Sequence, residues 1–107
     1  MSNEQDSNSF YCDMTALSPQ ERASHQERLA LLFGQLVREK KELANGFAFR
    51  FEGQEYTQLA EFIRFERKCC PFLSFELELA PHNGPVWLHL TGLGDIKPFL
   101  EAEFGLL

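Results

Sequence analysis

"EYTQLAEFIRFERKCCPFLSFELEL", residues 55–79, carries two hydrophobic periods in one stretch. Up to residue 70 the apolar positions recur at helical intervals, with Tyr56, Leu59, Ala60, Ile63 and Cys70 down one side. Pro71 ends that helix, because it has no N–H to give and its ring clashes with the preceding turn. From Leu73 the pattern alternates instead. Leu73, Phe75, Leu77 and Leu79 share one face, and Glu76 and Glu78 point the other way. A helix running directly into a half-buried strand calls for a mixed fold.

Downstream, "HNGP" (82–85) reads as a turn, and "VWLHL" (86–90) returns with Val86, Leu88 and Leu90 inward. That puts Trp87 and His89 on the outer face, a candidate homodimer surface. Asp95 reads as the cap of a last helix that packs Ile96, Phe99, Leu100 and Phe104, with Pro98 in its first turn.

Upstream, Asn45-Gly46 ahead of alternating Phe47, Phe49 and Phe51 predicts a hairpin with strands over 37–43 and 46–52. Ser18, Pro19 and Glu21 form a capping box that opens a helix over 19–34, with Gly34 as its stop. Ala23, Leu29, Leu32, Phe33 and Leu36 sit near helical spacing. "FYCDM" (10–14) reads as a short strand carrying Cys12, and residues 1–8 as a disordered tail. The expected architecture is a single α+β domain over 9–107: a mainly antiparallel sheet of two hairpins, with about three helices on one face.

The chain has 107 residues, 44% of them hydrophobic and eleven of them Phe, enough for one core without disulfide staples. The net charge of −6 argues against a nucleic-acid or anionic-membrane surface. No apolar run approaches the ~20 residues of a membrane-spanning helix. The polar start "MSNEQDSNSF" resembles neither a signal nor a transit peptide, so the expected location is the cytoplasm. There is no GxGxxG, P-loop or HExxH motif.

The three cysteines therefore carry the chemical interest, two of them adjacent. Cys69 and Cys70 stand ~100° apart on a helix. Where the chain bends, as Pro71 makes it do, both thiols can meet one soft ion: Zn(II), Hg(II), Cu(I) or trivalent arsenic. A disulfide between neighbours closes a strained ring. Glu66 lies three and four residues earlier, within reach of both as a ligand or base, and reads equally as a solvated or ion-paired helix residue. Cys12 joins the site only if the fold brings it beside the end of that helix. Packing is the competing reading for all three, since free cysteine behaves as a small hydrophobe. His25 falls in a polar stretch and reads as an exposed helix residue, His82 as a loop residue.

"ERKCCPF", with the strand pattern and terminal "FLEAEFG" around it, resembles the C-terminal region of some MerR-type, heavy-metal-responsive bacterial regulators, and small stand-alone proteins with E-R-x-C-C-P-F. The likeness covers about residues 56–105. It implies a thiol-bearing module linked to metal or stress response, with Cys69, Cys70 and, more weakly, Glu66 at motif positions. The DNA-binding role of such regulators does not transfer, because this chain has no basic segment to supply it.

Two readings stand beside the inert one. In the first, Cys69 and Cys70, completed by Cys12 or Glu66, bind a thiophilic metal or metalloid ion, with zinc or another soft ion as the cofactor. In the second, one thiol attacks and its neighbour resolves a mixed disulfide. The second is an enzyme-like role.

Overall fold

Residues 12–105 are described by the computed structural model. The expected tail at 1–8, and residues 10 and 11 of the expected first strand, lie outside them. Cys12 and Asp13 are not in a strand. A 3₁₀ turn, Met14–Ala16, follows them instead.

Helix α1 spans Pro19–Leu31 and starts where its cap dictates. The Glu21 backbone N–H donates to the Ser18 hydroxyl at 3.1 Å, and the Ser18 N–H donates to the Glu21 carboxylate at 3.0 Å. Gly34 does not stop the helix. The chain runs through it in one π-helical turn, Leu32–Leu36, which keeps Leu32 buried.

Strands β1, Glu39–Leu43, and β2, Gly46–Phe51, form the first hairpin. A 3₁₀ turn leads into helix α2, Tyr56–Cys69. Strands β3, Ser74–Leu79, and β4, Val86–Thr91, make the second hairpin, and helix α3, Ile96–Phe104, follows. The sheet order is β1-β2-β4-β3, antiparallel throughout, so the two hairpins join through β2 and β4. Gly46 sits at that seam, where a Cβ would overlap the Leu90 carbonyl of β4. The β3–β4 turn places His82 and Asn83 at φ 59° and 56°, in the left-handed region that Asn tolerates better than most residues.

The α+β architecture expected from alternation is the one observed. Phe47, Phe49, Phe51, Val86, Leu88 and Leu90 turn one face of the sheet to the helices. Leu32, Leu59, Phe62, Ile96, Leu100 and Phe104 meet them there. Glu76 and Glu78 are exposed, as the register requires. Leu79 keeps the inward register opposite Val86 yet is 53% exposed, because β3 is an edge strand with no neighbour on one side.

Helix α2 is rotated from the expected phase. Tyr56 and Ala60 are exposed, and the buried face is Leu59, Phe62, Phe65, Glu66 and Cys69. Two phenylalanines bring more apolar area than Tyr56 and Ala60, so burying them sets the helix rotation. Asp95 precedes α3 but makes no side-chain cap bond.

On the outer face Trp87 is half-buried, with the Lys41 ammonium 4.8 Å from its ring centre. The other edge strand, β1, sets Lys40 and Glu42 on the helix-side face at the exposed rim, and Lys97 of α3 donates to Glu42 at 2.7 Å. Among the described residues no helix is long and apolar enough to cross a membrane.

Candidate functional site

The last turn of α2 builds the site. Glu66, Cys69 and Cys70 follow at i, i+3 and i+4, so all three point to one side. Cys70 is already leaving the helix, at φ −128° and ψ 69°, although its N–H still donates to the Glu66 carbonyl at 2.7 Å. Pro71 accounts for that departure, because a residue before proline is pushed out of the helical region. The bend carries the Cys70 side chain towards Cys12.

Cys12 is held in place by its neighbour. The Asp13 N–H donates to the Cys69 carbonyl at 2.8 Å, satisfying one of the carbonyls a helix end leaves open. The Asp13 carboxylate then accepts from the Thr15 N–H at 3.1 Å and from the Thr15 hydroxyl, which fixes the turn. The sulfurs of Cys12 and Cys70 lie at disulfide distance, with their Cα atoms 4.8 Å apart. Cys69 and Cys70 are fully buried, and Cys12 is half-buried.

Glu66 lies at the centre of the cluster. It is 1% exposed, so the solvated reading of this residue is corrected. Its Oε2 stands 3.2 Å from the Cys70 sulfur and 3.8 Å from that of Cys12, and its Oε1 is 4.0 Å from that of Cys69. Its Oε1 is also 2.6 Å from His25 Nε2.

His25 is the residue that sequence reasoning missed. Rather than exposed it is 1% exposed, its ring stacked on Phe62 with centroids 5.5 Å apart. Its Nδ1 is buried without a hydrogen-bond partner. The least costly arrangement has Nε2–H donating to Glu66, which leaves a bare lone pair at Nδ1 rather than an orphaned N–H. The signal for burial was present: His25 stands four and seven residues before Leu29 and Leu32, on the stripe that faces the core.

Glu103 of α3 was missed as well. Burial, and then the charge of Glu66, hold its carboxyl above the ordinary carboxylate range. The same two causes, burial first, push the Cys69 thiol up to about 12.

Every residue expected at the site is therefore brought together. The sulfurs of Cys12, Cys69 and Cys70 all lie within 4.8 Å of one another, as do ligand atoms of His25, Glu66 and Cys69, and of Cys12, Glu66 and Glu103. Four donors around a tetrahedral ion at ~2.3 Å for sulfur and ~2.0 Å for oxygen stand roughly 3.5–3.8 Å apart. The sulfur–carboxylate distances, 3.2 and 3.8 Å to Oε2 and 4.0 Å to Oε1, bracket that spacing, so the two carboxylate oxygens share the three sulfurs between them. The Cys70 sulfur–Oε2 contact at 3.2 Å is shorter than that spacing, and the Cys12–Cys70 sulfur pair is closer still and would have to part.

The fold and the cluster define a small α+β protein that gathers three cysteines, two of them buried, with a buried carboxylate and a buried imidazole. No protein-family model matches the chain, and no curated protein or solved structure is significantly similar to it.

Proposed function

We propose that this protein binds a thiophilic metal or metalloid ion through Cys12, Cys69 and Cys70, with the Glu66 carboxylate completing the donor set. The observation that carries this reading is the convergence of three sulfurs from segments 58 residues apart on one buried carboxylate. His25 pairs with Oε1 of this carboxylate, which leaves Oε2, buried as well, facing the Cys70 and Cys12 sulfurs. Soft sulfur donors select Zn(II), Cd(II), Hg(II) or arsenite over Mg²⁺ and Ca²⁺. The likeness of "ERKCCPF" to the C-terminal region of heavy-metal-responsive regulators supports the same choice. Reduced thiols belong to a reducing compartment, so the cytoplasm is the place we assign to this activity.

A thiol-redox role is the second reading, favoured by one specific observation: Cys12 and Cys70 sit at disulfide distance. The expected second copy of this chain, docked on the Trp87–His89 face, belongs to the proposal too. A solution mass of one chain at all concentrations would remove it.

The deciding experiment is titration of the reduced protein with Zn(II), Cd(II) and arsenite against a competing chelator or dithiol. One ion per chain is expected, with thiolate–metal charge-transfer absorption for Cd(II). The single variants Cys12→Ser, Cys69→Ser and Cys70→Ser should each bind at least tenfold more weakly. Equal binding by wild type and all three variants, or none by any, would reject the site.

A further inference from the structure

Metal capture and disulfide formation draw on the same sulfurs. The donor set proposed above has three sulfurs, and two of them, Cys12 and Cys70, are the ones that lie at disulfide distance. We propose that the site is redox-gated: an oxidant of the peroxide class joins Cys12 to Cys70 and expels the bound ion, and a thiol reductant restores the site. The proposal rests on the metal-binding reading and adds how that binding is controlled.

The geometry selects this pair over the others. Cys70 has left the helix and faces Cys12, with a Cα separation of 4.8 Å that suits a disulfide. Cys69 remains within the last helical turn, its sulfur 3.7 Å from the Phe65 carbonyl and 3.8 Å from the Glu66 carbonyl. Bridging it to its neighbour Cys70 would close the strained ring of adjacent cysteines. Accessibility orders the steps. Cys12 is half-buried while Cys69 and Cys70 are fully buried, so peroxide reaches Cys12 first.

The Cys12 thiolate attacks one peroxide oxygen, the O–O bond breaks, and hydroxide leaves with a sulfenic acid on Cys12. The Cys70 thiolate then attacks the Cys12 sulfur, the S–S bond forms, the S–O bond breaks, and a second hydroxide leaves. Each sulfur gives up one electron, the peroxide takes two, and two protons convert the hydroxides to two waters. Glu66 Oε2, 3.2 Å from the Cys70 sulfur and 3.8 Å from that of Cys12, is the group in contact with both reacting atoms. The product retains only the Cys69 sulfur and the Glu66 carboxylate of the donor set, half of what held the ion. Binding and oxidation therefore oppose each other: the ion slows oxidation, and oxidation releases the ion.

The test uses the full chain, reduced and loaded with one equivalent of Zn(II), then treated with hydrogen peroxide. A chromophoric chelator follows zinc, intact mass follows the loss of two hydrogens, and fragment spectra assign the linkage. One zinc released per Cys12–Cys70 disulfide is expected, with rebinding after dithiothreitol. The Cys69→Ser variant should still form the disulfide, and the Cys12→Ser variant should not. If zinc binds but stays bound under peroxide, the gate is overturned and the metal site stands. The same holds if it leaves with a Cys69–Cys70 linkage or with a Cys12 sulfinic acid and no disulfide. Release from Cys12→Ser at the wild-type rate also overturns the gate. If the reduced wild type binds no zinc, cadmium or arsenite, the metal site itself fails and the gate with it.

Discussion

Glu66 and His25 are a buried polar pair inside an otherwise apolar layer, with Phe62 and Phe65 against the imidazole. Breaking one side leaves the other without its partner, at a cost of ~1–3 kcal/mol, and more where the orphan is charged. His25→Phe and Glu66→Leu should each lower stability by about that much in denaturant melts, whereas the double variant should lie closer to wild type than the sum of the two. Strict additivity would show that the contact contributes nothing. Replacing a whole buried ionisable pair by apolar residues is often neutral for stability, so folding alone does not call for this one. Cys69 makes a second prediction. With Cys12 and Cys70 joined it is the one free thiol, and its pKa is pushed up to about 12. At pH 8 its thiolate fraction is roughly a thousandfold below that of an ordinary cysteine, so a thiol reagent should react slowly until denaturant is added. The folded state holds this proton more tightly than the unfolded one. Its contribution to stability is therefore complete below pH 9.0 and is lost as pH rises through about 12. Equal reaction rates in native and denatured protein would contradict the burial of this sulfur.

Helix α2 divides what the sequence discloses from what it hides. Its existence, its stop at Pro71 and the spacing of Glu66, Cys69 and Cys70 follow from local rules, because each depends on residues within one turn. Its rotation does not, because apolar residues cover most of its circumference. Only the opposing sheet and α1 decide whether Phe62 or Tyr56 is buried. Local spacing places His25 on the core-facing stripe of α1, but its partner is 41 residues away and no local rule names it. Alternation in β2 and β4 was legible because large apolar side chains recur on the face that meets the helices, and the exposure of Leu79 was not, since edge position is a property of strand order. The rotation can be tested directly. Phe62 is fully buried and Tyr56 is 49% exposed, so Phe62→Ala should cost ~3–5 kcal/mol, while Tyr56→Ala should stay within about 0.5 kcal/mol of wild type. Comparable losses at the two positions would mean that the helix is turned the other way.

At the scale of the whole molecule, the Cys12–Cys70 contact ties the start of the described chain to its middle, and it does so across the elements that build the core. The covalent loop would span 58 residues. Constraining a loop of that length removes unfolded-state entropy worth about 4 kcal/mol by the chain-entropy relation, although native-state distortion commonly lowers the realised gain. For a domain of about 100 residues, each kcal/mol moves the melting temperature by ~4–8 °C. Three states of one protein should then melt in a defined order. The reduced, metal-free form should melt lowest, because the Asp13–Cys69 backbone bond, the Cys12–Glu66 contact and local packing then hold the Cys12 segment against α2 without a covalent or metal link. The oxidised form should melt ~10–30 °C higher, the range left after allowing for incomplete gain. The reduced form with excess Zn(II) should also rise, through mass action on the folded state, and the size of its shift should grow with zinc concentration, as that of the disulfide cannot. Zinc added to the oxidised form should move it little, since two of the three sulfurs are then spent. Differential scanning calorimetry on wild type and Cys12→Ser measures all of this. The variant should show one melting temperature regardless of oxidant, and a reduced wild type melting as high as the oxidised one would mean that the pair does not constrain the chain.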